Sequence, residues 1–554
     1  MHVRNPHWSR LAAFVLLAVI STFGGLSAVS MAGELLPPEK MIEEAVDHYV
    51  QVRLTTEKVT PAPQASDPNL IRRLSLDLAG RIPTVSEAQA YAAAAEPDKR
   101  VRAVERLLAS PDFAYQQRNE LDSLLMSKTN DGAWREYLLK ACQENRPWDQ
   151  LFREMLLTRD DDPDKKAALM FVKSRARDLD ELSNDTSKIF FGVSINCAKC
   201  HDHPLVLDWH QDHYFGFYSF FQRTYLNKRN QLAERSEGLV KFKTTEGVEK
   251  SAKLMFLTGS VIDEPPPPTL TDDEKKAIEK ASKEDEEKKE GPPPAVPAFS
   301  PRTRFVELAL KVEDNRFFSR SIVNRVWARL LGRGLVMPLD QMHSENPASH
   351  PELLDWLTRD LVAHGYDLKR LIRGIVLSQA YSRSSSWDGP ESRPHPQLYA
   401  VGMTRVLSPR QYSLALLVAS RNSPSFPEDV LSPDWAKRRL DLENHSQHLA
   451  NQLEVPSDNF QVGVSEALFF ANNQHVQNDL LNEGGDRLAG VLKTIPDRQE
   501  QLKLAFWTVY TRHPEPEEAA AISQFLDARA DRQNVAWQQV IWSLLTSSEL
   551  RFNH

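Results

Sequence analysis

Cys197 and Cys200 stand three apart with His201 directly after them, in the stretch SINCAKCHDHPLVLDWHQDHYFGFYSFF. That stretch holds two of the chain's 3 cysteines, and also His203, His210 and His213. Thiols three apart on a helical turn reach the two vinyl groups of a porphyrin, and a histidine next to them lies under the same face as a proximal iron ligand. The order is thus the one that covalent attachment of haem c requires. Two other chemistries draw on the same residues. Zinc prefers thiolate and imidazole, so Cys197 and Cys200 with two of His201, His203, His210 and His213 would make a metal staple, at a spacing tighter than closed structural sites usually show. A plain Cys-x-x-Cys disulfide is the third. For this composition, the motif arises by chance roughly 3 times in 10,000 chains, so a chemical reason for it is expected. If the group is haem, Met170, Met255, His210 and His213 are the sixth iron ligands the sequence offers, with an open site as the alternative. Trp209, Tyr214, Phe215, Phe217, Tyr218, Phe220 and Phe221 follow the motif, either as a porphyrin wall or as plain core.

The compartment bears on that choice. Arg4 and Arg10 precede the short apolar run LAAFVLLAVI, and SAVSMAG supplies small residues for cleavage after Ala32. Residues 1–32 therefore read as an export signal, with an uncleaved membrane anchor as the alternative; no other segment has the length and apolarity to span a bilayer. Disulfide frameworks of exported proteins use several cysteine pairs, and Cys142 is far from the close pair. A formal net charge of −8 over 554 residues gives no reason to expect nucleic acid as a partner. Nothing resembles a hydrolase triad, a phosphate loop or a nucleotide fingerprint.

The elements that must position the motif read as helices. With 21 glycines against 35 prolines, the composition suits helices separated by proline-marked turns. Met41, Ile42, Ala45, Val46, Tyr49 and Val50 share one helical face. LIRRLSLDLAGRIPTVSEAQAYAAA predicts a helix, a turn at Gly80 to Pro83 and a second helix, with Thr84 and Glu87 at capping-box spacing. AFWTVYTRHPEPEEAAAISQFL repeats that grammar near the other end. Between them, GLVKFKTTEGVEKSAKLMFLTGS alternates like a small β-hairpin. The segment DEPPPPTLTDDEKKAIEKASKEDEEKKEGPPPAVPAFSP has proline runs around a charged block, which predicts a spacer in which 271–290 form at most one exposed helix. Beyond it come three amphipathic helices. Ile322, Val323, Val326, Trp327, Leu330 and Leu331 face inward on the first, Ser349 and Glu352 cap the second, and Leu368, Leu371, Ile372, Ile375 and Val376 line the third. Arg320, Arg325, Arg329, Arg333, Arg370 and Arg373 form either an anion-binding face or a solvated face paired to local carboxylates.

IRRLSLDLAGRIPTVSEA, GVSINCAKCHDHP, DHYFGFYSFF, VNRVWARLLGRGLVMPLD, NPASHPELLDWL and LLTSSELRFNH resemble a large group of secreted planctomycete proteins. That group joins a cytochrome-like domain to a C-terminal partner domain of unknown function. The resemblance covers nearly the whole chain after the signal. It implies haem c on Cys197, Cys200 and His201, and no established substrate. Relatives are often encoded near sulfatase-like proteins, which hints at polysaccharide use. NELDSLLMSKTNDGAWREYLLKACQ stands where relatives often carry a tryptophan-rich helix, and the charged spacer is longer than usual.

The expected architecture is mainly α: a cytochrome-like helical domain over 33–228, the hairpin and low-complexity spacer over 229–300, and a helical partner domain over 301–554. The expected function is electron transfer by an exported protein through one haem c, toward a redox protein or a polysaccharide-processing partner. The contrasting expectation is a non-redox binding or scaffold protein stapled by zinc or a disulfide.

Overall fold

Thr84 and Glu87 close a capping box at the start of one helix, each side chain bonding the other residue's backbone N–H. The turn before it begins at Gly80 in the left-handed region (φ 72°), and Arg81 forks onto Glu87 at 2.7 and 3.0 Å. The second copy of this grammar has the same construction. Thr511 takes the left-handed position, Arg512 forks onto Glu518 at 2.7 and 2.9 Å, and Glu515 caps the following helix. Both turns are therefore held by an arginine bonded to the N3 glutamate of the next helix, where the helix dipole favours negative charge.

A computed structural model describes residues 35–554 except 127–130, 204–205, 267–270, 275, 278–279, 281–283, 285–289, 312–315, 457–461 and 475. The signal reading at 1–32 and most of the helix expected at 271–290 lie outside the described residues. The chain is mainly α-helical. Before the spacer run α1 (Ile42–Thr56), α2 (Asp67–Ala79), α3 (Val85–Ala93), α4 (Lys99–Ala109), α5 (Pro111–Met126), α6 (Gly132–Gln143), α7 (Trp148–Leu157), α8 (Met170–Lys173), α9 (Leu179–Phe191) and α10 (Gln211–Ser219). After it come α11 (Pro301–Ala309), α12 (Arg316–Leu331), α13 (Pro351–Ala363), α14 (Leu368–Leu377), α15 (Gln379–Ser382), α16 (Pro409–Ala419), α17 (Pro433–Ala450), α18 (Val464–Asn472), α19 (Leu488–Leu492), α20 (Arg498–Tyr510), α21 (Pro516–Asp527), α22 (Gln533–Leu545) and α23 (Ser548–Arg551).

Strands are few and short, in antiparallel pairs. β1 (Thr224–Leu226) pairs with β2 (Leu232–Glu234), and β5 (Leu254–Met255) with β6 (Val261–Ile262). β3 (Lys241–Lys243) and β4 (Glu249–Ser251) form the hairpin that the alternating sequence predicts. β7 (Arg405–Val406) pairs with β8 (Phe552–Asn553). Among the described residues no helix is long and apolar enough to cross a membrane.

The spacer divides the chain in sequence, while helices from both sides of it share one core. Leu36–His554 form one compact unit. Ile42, Ala45, Val46, Tyr49 and Val50 of α1 are buried and the helix lies on α13 and α14. Met41 is exposed, because it is the N-cap of α1 and not part of its inner face. Gly374 of α14 lets α1 approach: a Cβ there would stand 2.3 Å from the Ile42 Cβ. α9 packs on α12, α11 on α7 and α5 on α17. Leu76 and Ile82 join the large apolar cluster built from α16 to α23. The end of the spacer is anchored too, since Arg159 donates to the carbonyls of Pro293 at 3.1 Å and Pro294 at 3.0 Å.

One expectation on the later helices changes and one open choice narrows. The cap at Ser349 is displaced: α13 starts at Pro351, whose fixed φ suits the first helical position, so His350 is the N-cap and Ser349 Oγ lies 3.1 Å from its Nδ1. The arginine row follows its carboxylate-paired alternative for the most part. Arg320 pairs with Asp355 at 2.7 Å, Arg373 with Glu105 at 2.6 Å, Arg370 with Asp360, and Arg325 donates to the Lys188 carbonyl at 2.5 Å.

A nick in the spacer should therefore not release the halves. Trypsin is expected to cut first among the lysines of 263–300, where charge and proline exclude a packed core, and the fragments should co-elute on gel filtration until denaturant is added. First cuts inside 40–220, or fragments that separate in native buffer, would defeat this expectation.

Candidate functional site

Gly192 ends α9 in the left-handed region and turns the chain into the motif. Cys197 lies in a single 3-10 turn, Asn196–Lys199, with Cys200 as its C-cap. Both thiols are free and exposed. His201 follows, also exposed, with Nδ1 2.7 Å from the carbonyl oxygen of Asp202. A carbonyl oxygen only accepts, so in the neutral ring Nδ1 carries the proton and Nε2 keeps its lone pair, the tautomer that a metal-binding imidazole needs.

Asp202 organises the next turn. Its Oδ1 accepts the backbone N–H of Gln211 at 2.9 Å, and its Oδ2 lies 3.2 Å from His210 Nδ1. The Gln211 bond first, then His210, holds the Asp202 carboxyl below its ordinary value. This fixes the start of α10, where the backbone N–H of His210 donates to His213 Nδ1 at 3.3 Å. In neutral His213 the proton therefore sits on Nε2. Burial first, and His210 second, lower its pKa.

The segment that follows the motif borders a cleft of about 640 Å³, lined by Trp209, His213, Phe317, Met342, His343 and Leu354 among others; Cys197, Cys200 and His201 are not part of its lining. Its size is that of a small-molecule pocket, commonly about 300–1,000 Å³. The far wall comes from beyond the spacer. Ser194 donates to the Asp340 carbonyl at 2.8 Å, Met342 donates to the Gly192 carbonyl at 2.9 Å, and Ser344 N–H reaches Asp208 Oδ2 at 2.9 Å. Met342 is buried, and its sulfur sits over Gly192. His343 Nδ1 is buried without a hydrogen-bond partner. His203 lies near both His343 and His201: burial first, then these two rings, depress its pKa.

The sixth-ligand residues offered by the sequence fall in different places. His213 lines the cleft, and His210 stands beside it with ring centroids 5.8 Å apart. Met255 lies on β5 against Gly216 of α10, and Met170 opens α8, which packs on α7. The sequence reading missed Met342 and His343; its only signal for them was an adjacent Met-His pair. The aromatic run is mostly core. Phe217, Phe220 and Phe221 are fully buried against Phe305, and Phe215 stacks on Phe242 at 4.3 Å, leaving Trp209 as the ring of that run at the cleft. Among the described residues no three His, Cys, Asp or Glu side chains converge in a group able to hold a metal ion.

Two family models match this chain. Residues 45–225, which include the motif, match PSCyt2, a protein of unknown function (DUF1549). Residues 301–457, which supply Met342 and His343, match PSD1, a protein of unknown function (DUF1553). No curated protein and no solved structure matches. In this order along one chain, the two matches fit the two-part planctomycete-type arrangement that the sequence motifs resemble.

Proposed function

We propose that this is an exported electron-transfer protein in which Cys197 and Cys200 hold one haem c by thioether bonds and His201 is the proximal ligand. The observation that carries the reading is the motif turn itself. Thioether formation needs free, accessible thiols, and both are free and exposed. Iron ligation needs an imidazole with an available Nε2, and the Asp202 carbonyl selects that tautomer of His201. Met342 and His343 line the cleft beside this segment, and the Nδ1 of His343 has no hydrogen-bond partner, so they are further residues that could serve such a group as ligands. His213 is less suited, since its lone pair is already used by the His210 N–H. Haem c, when bound, supplies a one-electron couple. The chain's own residues orient the proximal imidazole through Asp202 and keep water from one side of the cleft through Trp209, Phe317 and Leu354. The partner in this reading is another exported redox protein, and the polysaccharide link rests on the resemblance.

The test is expression with a cytochrome c maturation system beside a control cytochrome. The intact mass should rise by one haem, and the colour should survive denaturation because thioether bonds outlast coordination. Cys197→Ser or Cys200→Ser should each lose one attachment, and His201→Ala should alter the axial spectrum while keeping the thioethers. Stoichiometric zinc without haem, or a mass reduced by two hydrogens, would replace this reading by a zinc or a disulfide staple.

A further inference from the structure

A second cavity, of about 550 Å³, opens between helices from the two sides of the spacer, with Asn119, Asp122, Ser123, Arg135, Arg410 and Asn451 among its lining. Its back wall is a buried charge cluster. Glu443 Oε1 accepts from Arg118, from Arg410 Nη1 at 3.2 Å and from Arg135 Nη2 at 3.4 Å, while Oε2 accepts from Arg439 Nη1 at 2.8 Å. Asp122 takes Arg135 Nη1 at 2.5 Å. Asp112 lies 2.9 Å from both Arg439 Nε and Arg81 Nε, and Glu87 pairs with Arg81. Five guanidiniums thus share four carboxylates in this cluster.

Of the two that line the cavity, Arg410 is held more loosely than Arg135. The one side-chain hydrogen bond it makes among the described residues is long and goes to an oxygen that two other arginines use, and 16% of its side chain is exposed where it lines the cavity. Burial and then Arg135 push its pKa down to about 10. Burial, aided by Arg135 and Arg439 against Glu443, takes Arg118 to about 10 as well. A guanidinium does not give up its proton to relieve such crowding, so the cluster keeps one more positive charge than its carboxylates balance, beside Arg329 and Arg405 with Asp77 and Glu120 on the same lining.

We propose that this cavity binds a small organic oxyanion, a carboxylate or a phosphate ester, with Arg410 as its anchor and Arg135 beside it. The planar fork of arginine matches either head group through two parallel hydrogen bonds. Ser123, Asn119 and Asn451 on the wall suit a ligand that also carries hydroxyls. The aromatic platforms that grip neutral sugars are missing from the described lining, so charge is the expected basis of selection.

Calorimetric titration of the full chain at matched ionic strength tests this with gluconate, glucose 6-phosphate and the neutral polyol sorbitol. Saturable one-to-one binding of gluconate alone identifies a carboxylate site, of glucose 6-phosphate alone a phosphate-ester site, and sorbitol should give no heat of binding. Arg410→Gln should weaken the anion about tenfold or more. Ser123 is exposed at the rim, so Ser123→Phe should block the mouth without disturbing the fold, which far-UV circular dichroism checks for both variants. Dissociation constants weaker than about 10 mM for both anions, or affinities unchanged in the two variants, would overturn the proposal.

Discussion

Glu443→Gln is expected to cost about 3–5 kcal/mol, read as a lowered urea midpoint, because it leaves a cluster of buried guanidiniums short of its central countercharge. Glu443 is 4% exposed and touches Arg118, Arg135, Arg410 and Arg439. The amide keeps the shape but turns one acceptor toward arginine N–H groups into a donor, so the loss combines charge and hydrogen bonding. Burial opposes ionisation of Glu443, yet Arg439, Arg118 and Arg410 together hold its pKa below the ordinary 4.5. A carboxylate depressed in the folded state stabilises above the unfolded pKa, and that contribution fades as pH falls through the folded value. The gap between wild type and Glu443→Gln should accordingly be full at neutral pH and shrink below about pH 4.5. A variant within about 1 kcal/mol of wild type at neutral pH would show that the cluster does not depend on this carboxylate.

Phe305→Ala should cost a similar amount, about 3–5 kcal/mol, for an apolar reason. Phe305 is the inward ring of α11, the first helix after the spacer, and it is fully buried. Its centroid lies 5.0 Å from Phe221, 5.2 Å from Phe217, 5.3 Å from Phe220 and 5.8 Å from Phe191. Those four rings precede the spacer, so the truncation opens a void at the place where the two sides of the chain meet. Phe305→Leu, which keeps most of the volume, should lose clearly less. Denaturant unfolding of both variants decides it, and equal losses from Leu and Ala would mean that the void is not the cause.

Periodicity made the helices legible. Ile322, Val323, Val326, Trp327, Leu330 and Leu331 are all buried on α12, as their spacing requires. Thr84 and Glu87 make the capping box that their separation predicts, since that interaction is wholly local. The motif was legible for the same reason, being three residues on one turn. What escaped the sequence is non-local. Met342 and His343 reach the cleft because residues 192–194 pair with 340–342 through backbone groups, and no side-chain period encodes such a pairing. The aromatics after the motif were ambiguous because a porphyrin wall and a core have the same composition; Phe305, far along the chain, is what makes most of them core. The arginine row was legible as a carboxylate-paired face, but not the identity of its partners, because these lie on other helices.

Arg72 is fully buried on α2, and its guanidinium donates to the carbonyls of Val509 at 3.3 Å and of Glu549 and Leu550 at 3.4 Å. An early helix thus finds the acceptors for its buried charge at least 437 residues further along the chain. Contacts of such sequence separation demand loop closure before they return any stability, which slows folding and raises relative contact order. A growing chain cannot complete this core piecemeal from its N-terminal end. Cys197 and Cys200 lie inside the long loop that Arg72 and its acceptors close.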